Sequence, residues 1–187
     1  MNKLDHFKIL DILREFNSTD NKFKNLLIYS NIGLDLSVKE MFFYSMYSDD
    51  ECELDKFNDI LQPQVDRVLD NDMKLLAGIT KLNISGCEKI TDNGLKYLSG
   101  IKYLNISFLR ITDIGLRYFR RIPFIILYFC KHITANGIIN MQPDTVYVSS
   151  NYFSKREISK MRNAGIKVNP PGKPYKKFVD KFRKELT

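Results

Sequence analysis

A repeat in the middle of the chain sets the tightest limit on how it can fold. Between Ile79 and Met141 one pattern occurs three times, at offsets of 22 and 21 residues. The first copy reads Ile79-x-x-Leu82-x-Ile84-x-x-Cys87-x-x-Ile90-Thr91-Asp92-x-Gly94-Leu95-x-x-Leu98. The second reads Ile101-x-x-Leu104-x-Ile106-x-x-Leu109-x-Ile111-Thr112-Asp113-x-Gly115-Leu116-x-x-Phe119. The third reads Ile122-x-x-Ile125-x-Leu127-x-x-Cys130-x-x-Ile133-Thr134-Ala135-x-Gly137-Ile138-x-x-Met141. Apolar residues that return to the same slots at a short fixed period are the signature of a solenoid. Such a chain offers a recognition surface more readily than a reaction centre.

Each copy opens on apolar-x-apolar, as in Leu82-x-Ile84, an alternation that sends two side chains to one face of a strand. Its second half changes period. Thr91 or Asp92 can cap a helix start, because a short side-chain oxygen accepts from free first-turn amides. Leu95 and Leu98, three apart, then share one side of a short helix. One strand-turn-helix unit cannot bury its apolar side alone, so it stacks on the next. The flanks extend the register. Val68 to Gly78 matches the helix half Ile90 to Gly100, without a legible strand before it. Val146-x-Val148 opens a further copy, with Asn151 in the slot of Cys87 and Cys130. Ser154-x-x-Glu157 is a capping box for its helix, and Ile166-x-Val168 is a candidate last strand.

These copies resemble leucine-rich repeats of the cysteine-containing type, which often follow an F-box. L-x-x-L-x-L-x-x-C and I-T-D-x-G-L carry the resemblance over residues 79–141, and Leu109 stands where that pattern has Cys. The implied fold class is α/β: a short leucine-rich-repeat solenoid, parallel strands on its concave side and short helices on its convex side, with an N-terminal helical cap or degenerate F-box. The implied organisation is a helical N-terminal region at 1–47, an acidic linker or irregular first repeat at 48–66, repeats at 67–169, and a basic C-terminal helix or tail at 170–187.

Residues 3–16 read as a helix, Asp20 to Tyr29 as a second, and Ser37-Val-Lys-Glu40 as the capping box of a third. They stand where an F-box would, and Ile9-Leu10-x-x-Leu13 resembles part of that motif. The resemblance then implies that Leu10 and Leu13 contact an adaptor subunit of a cullin ubiquitin ligase. The Leu-Pro opening of the motif is missing, and the chain has no Trp. The alternative is a helical cap closing the first repeat.

Charge divides the chain: residues 1–70 are net −6 and residues 71–187 net +13, so the two ends favour different partners. The acidic stretch 48–59 lacks calcium-loop spacing and reads as a solvated loop. After Pro170-Pro171, Phe178, Phe182 and Leu186 fall at helical spacing. They form either a lid over the last repeat or a basic arm for an acidic surface. No apolar run approaches the roughly 20 residues that span a bilayer, so no membrane role is expected. The polar start does not read as a signal peptide. Two of the three cysteines hold core slots, which points to reduced thiols inside the cell, in cytoplasm or nucleus.

No catalytic constellation emerges, and the sequence calls for no metal or cofactor. His132 lies two residues from Cys130, but Cys130 holds a buried repeat slot, where a thiol is inert. Residues between the core slots form three columns on the concave face: Lys81, Tyr103, Phe124, Thr145; Asn83, Asn105, Ile126, Tyr147; Ser85, Ser107, Tyr128, Ser149. Tyr103, Asn105, Phe124, Ile126, Tyr128 and Tyr147 are the candidate partner-binding residues, since an aromatic centre with a polar rim suits a protein partner. The other reading covers this face with the chain's own tail. A second function class is binding of nucleic acid or another acidic partner by the basic half. It rests on the charge and ten tyrosines, against the lack of a nucleic-acid motif or a basic stripe.

Overall fold

The structure, a computed structural model, describes residues 11, 14, 34–35, 68–149 and 151–169. Leu10, Leu13, the helices expected at 20–29 and from Ser37, the acidic stretch 48–59 and the basic C-terminal segment lie outside the described residues. Six strands form one all-parallel sheet in sequential order. They are β1 (Leu34–Asp35), β2 (Lys81–Asn83), β3 (Tyr103–Asn105), β4 (Phe124–Leu127), β5 (Thr145–Val148) and β6 (Lys167–Asn169). Among the described residues, the helices between them are α1 (Asp72–Leu75), α2 (Asp92–Leu95), α3 (Asp113–Leu116), α4 (Ala135–Met141) and α5 (Lys155–Asn163). α2 and α3 each tighten into a 3-10 turn, Lys96–Leu98 and Arg117–Phe119.

Alternation in the strands decides which side chains enter the core. Leu82, Leu104, Ile125 and Val146 are register partners across β2 to β5, and all four are fully buried. Burying each contributes about 1.5–3 kcal/mol relative to exposure. Ile84, Ile106, Leu127 and Val148 form the next row, and Leu95, Leu116 and Ile138 close over both rows from the helices. Cys87, Leu109 and Cys130 occupy one buried slot in successive units. Leu fits because the slot is chiefly apolar; Cys130 also donates from Sγ to the Ile106 carbonyl at 3.2 Å. Asn151, expected in this slot, is exposed, while Phe153, in the slot of Ile111, is buried. Burying the carboxamide in a chiefly apolar slot would cost it its hydration.

The Thr-Asp-x-Gly segment is a device shared between neighbouring units. Thr91, Thr112 and Thr134 each cap their own helix, accepting from Asn93, Ile114 and Gly137 backbone N–H. Each threonine is held in turn by the preceding unit's aspartate. Asp92 accepts from Thr112 N–H at 2.9 Å and from its Oγ1 at 2.6 Å. Asp70 and Asp113 do the same for Thr91 and Thr134. The glycine makes room for that carboxylate. A Cβ on Gly94, Gly115 or Gly137 would overlap Asp70, Asp92 or Asp113 respectively.

The ladder stops at Ala135, which has no carboxylate to offer the next unit. α5 supplies its own: Glu157 accepts from Ser154 N–H at 2.8 Å and from Ser154 Oγ at 2.7 Å. The bonding pattern is that of an Asp–Thr rung, drawn from within one unit. Hydrogen bonds from the Ser154 side chain and backbone hold the Glu157 carboxyl below its ordinary 4.5. Because the folded value is depressed, this contribution is present above the unfolded pKa and fades as pH falls through the folded one. Ser154→Ala is expected to cost about 1 kcal/mol. Glu157→Gln should flatten the acid limb of stability below about pH 4.5, as followed by urea midpoints against pH. An unchanged limb would remove Glu157 from this role.

One strand lies where no periodicity marked it. Leu34 and Asp35 pair with Leu82 and Asn83, so the sheet begins inside the region read as helical (1–47) rather than at residue 67. The first unit is split, its strand at β1 and its helix at α1. Asp11 and Arg14 are helical, and Arg14 reaches the same unit. Its Nε and Nη2 donate to Asp72 at 2.9 and 2.7 Å, while Asp72 also accepts from Leu69 N–H at 2.8 Å.

Candidate functional site

The face of the sheet away from the helices carries a second apolar cluster, separate from the core. Strand register assembles it. Lys81, Tyr103, Phe124 and Thr145 are partners in one column, and Asn83, Asn105, Ile126 and Tyr147 in the next. Tyr103 and Phe124 approach to 5.8 Å between ring centroids, and Phe124 and Tyr147 to 5.3 Å. Lys81 Nζ lies 5.9 Å from the Tyr103 centroid, within cation–π range. A row of one ammonium and three half-buried rings thus crosses four strands.

The six candidate residues do not stand alike. Tyr103, Phe124 and Tyr147 are half-buried, and burial raises the Tyr147 phenol above its ordinary value. Ile126 and Tyr128 are buried, at 1% and 2% exposure, beneath the ring row. Asn105 is also buried, and its Oδ1 accepts from Ser107 N–H and Oγ. Asn83 accepts from Ser85 N–H in the same way. Ser107 Oγ accepts from Tyr128 N–H, and Ser149 Oγ from Phe129 N–H. These Asn and Ser residues satisfy backbone amides where the strand ladder ends. Asn83, Asn105, Ser107 and Ser149 thus serve the fold, and the half-buried part of this face includes the aromatic row.

A second concavity lies beyond the C-terminal ends of the strands, and no motif in the sequence pointed to it. Gly86, Phe108 and Phe129 share one slot after β2, β3 and β4. Their amides each donate to the next unit, to Ser107 O, Tyr128 O and Ser149 Oγ. That geometry holds all three in the left-handed region, at φ 79°, 65° and 56°. Gly86 adopts it without strain; an L-residue there costs about 1–2 kcal/mol. The two rings stack, centroids 5.0 Å apart and planes 5° from parallel, which returns about 0.5–1.5 kcal/mol. Tyr152 meets Phe129 edge-on at 5.6 Å. Beside them is a cleft of about 490 Å³, lined also by Arg110, Lys131, His132 and Glu88. Glycine aligned with two phenylalanines in one repeat slot is the sequence signal that could have found it.

Cys130 stands apart from chemistry here. Burial pushes its thiol up to about 12, while His132 is exposed on the cleft rim. Among the described residues no group of three or more His, Cys, Asp or Glu is arranged to hold a metal. Nor is any described helix long and apolar enough to cross a membrane. In comparison with known proteins, no family model matches the chain and no curated protein matches it.

Proposed function

We propose that the chain is a non-catalytic protein-interaction module, a leucine-rich-repeat solenoid that holds a protein partner on the outer, concave face of its sheet. The observation that carries this reading is the row Lys81, Tyr103, Phe124 and Tyr147, four side chains in contact across four strands. Aromatic rings anchored on a rigid sheet lose little conformational entropy when a partner covers them, which suits a hot spot. Burying two of them more completely contributes roughly 3–6 kcal/mol. The unbroken strand order and the Asp–Thr ladder support the solenoid part of the proposal. Cys87 and Cys130, both buried as reduced thiols, agree with an intracellular setting. The role as a ubiquitin-ligase adaptor rests on Leu10 and Leu13. The Arg14–Asp72 fork favours the alternative for that segment, a cap bound to the first unit.

The test compares wild type with Tyr103→Ser plus Phe124→Ser in pull-downs from the native cell. Any protein retained by the first and lost by the second is then purified and titrated. The expected result is at least about tenfold weaker binding, with a melting temperature lowered by only a few degrees. Retention of the same proteins by both forms would end the assignment of this face.

A further inference from the structure

The cleft beyond the strand ends has a chemistry of its own. Its wall carries the rings of Phe108 and Phe129 stacked on one another, with Tyr152 edge-on to Phe129. Its rim carries Arg110, Lys131 and His132, all exposed, and, as the one carboxylate among the described lining residues, Glu88. The loops that bear these groups are pinned. Thr112 and His132 form a parallel bridge, and the Phe108 and Phe129 amides are tied to the following units. The volume, about 490 Å³, lies within the range of small-ligand sites. Gly86 satisfies the same backbone slot with no ring, so the fold does not require aromatic residues there. The two phenylalanines occupy a conformation that their side chains disfavour, and strain of this kind collects at binding sites.

We infer that this cleft is a second binding site, distinct from the aromatic row on the sheet, for a nucleoside phosphate unit. The base joins the Phe108–Phe129 stack, and the phosphate lies between Arg110 and Lys131. A planar base needs an aromatic group to stack on, and a phosphate needs cationic donors; the cleft is lined by both. The net charge of +13 over residues 71–187 adds a long-range attraction for the same ligand class. The unit can come from a free nucleotide or from an unpaired nucleic-acid strand.

The experiment titrates the full chain with adenosine monophosphate by calorimetry and with a labelled unpaired oligonucleotide by anisotropy. Both are done at low and raised salt. Phe108→Gly and Phe129→Gly remove a ring while relaxing the backbone, so their melting temperatures should stay within a few degrees of wild type. Each is expected to weaken binding about tenfold. Arg110→Gln with Lys131→Gln should weaken it further and flatten its salt dependence. Lys102→Gln with Lys160→Gln, exposed and outside the cleft, should leave binding within about twofold of wild type. Binding of both probes assigns the mononucleotide as sufficient; binding of the oligonucleotide alone assigns the strand. The inference is overturned if neither probe binds, or if both Phe→Gly variants bind as wild type does. It is also overturned if the two cationic pairs matter equally, or if a glutamate-rich peptide binds as tightly with the same dependence on Phe108.

Discussion

Gly115→Ala is expected to destabilise the protein by about 2–4 kcal/mol, opposite in sign to the usual effect at a helical glycine. Alanine ordinarily gains about 1 kcal/mol over glycine inside a helix. Gly115 lies within α3 at an ordinary helical position, so no unusual backbone conformation protects the glycine. The penalty comes from the neighbouring unit: an added Cβ would overlap the Asp92 carboxylate. That carboxylate must then leave Thr112 N–H and Oγ1. Asp92→Ala alone removes the same two bonds and should cost about 1–2 kcal/mol. Combining the two should cost less than their sum by about 1 kcal/mol or more, because the alanine then meets no carboxylate and its helix preference returns. Urea unfolding of wild type, both single variants and the double variant gives the coupling directly. Additive effects would mean that Gly115 and Asp92 do not share this contact.

That coupling lies between residues 23 apart in sequence, in successive units. Repetition made part of it legible. Apolar slots that recur at 21 or 22 residues gave the strand register, so Leu82, Leu104, Ile125 and Val146 were identifiable as neighbouring rungs. A helix cap at the Thr or at the Asp after it was legible for the same local reason. The aspartate's partner was not, because its bonds leave the unit. β1 was hidden because two residues carry no period, and the stretch 36–71 separates them from their helix half. Alternation also placed Asn105 and Tyr128 correctly on the outer face, yet alternation says nothing of depth. Burial there depends on the rings in adjacent columns and on strand-end amides seeking acceptors. Phe108 and Phe129 escaped because local preference argues against phenylalanine at a left-handed position. Such a conflict between local preference and backbone is visible only after the repeats are aligned on Gly86.

Asp72→Ala should cost about 2–4 kcal/mol, toward the lower end of the penalty for removing one partner of a buried ion pair. Asp72 is 7% exposed and serves three donors: Arg14 Nε, Arg14 Nη2 and Leu69 N–H. Its loss leaves a guanidinium whose side chain is only 28% exposed and strands the Leu69 amide at the entry to α1. Asp72→Asn keeps one acceptor oxygen, which at the Oδ2 position serves both Leu69 N–H and Arg14 Nη2 and leaves Nε facing an NH2, so it should recover part of the loss. Arg14→Ala separates two roles for the N-terminal helix. As a cap, the helix shares one cooperative transition with the repeats, and Arg14→Ala lowers the single urea midpoint without changing its slope. As an independent docking module it unfolds by itself, and Arg14→Ala leaves the main transition in place. The fork spans 58 residues of sequence and ties the helical segment to the unit that holds β1 and α1. A lowered single midpoint is therefore the expected result. A separate early transition, with the main midpoint unmoved, would assign the N-terminal helix to a partner instead.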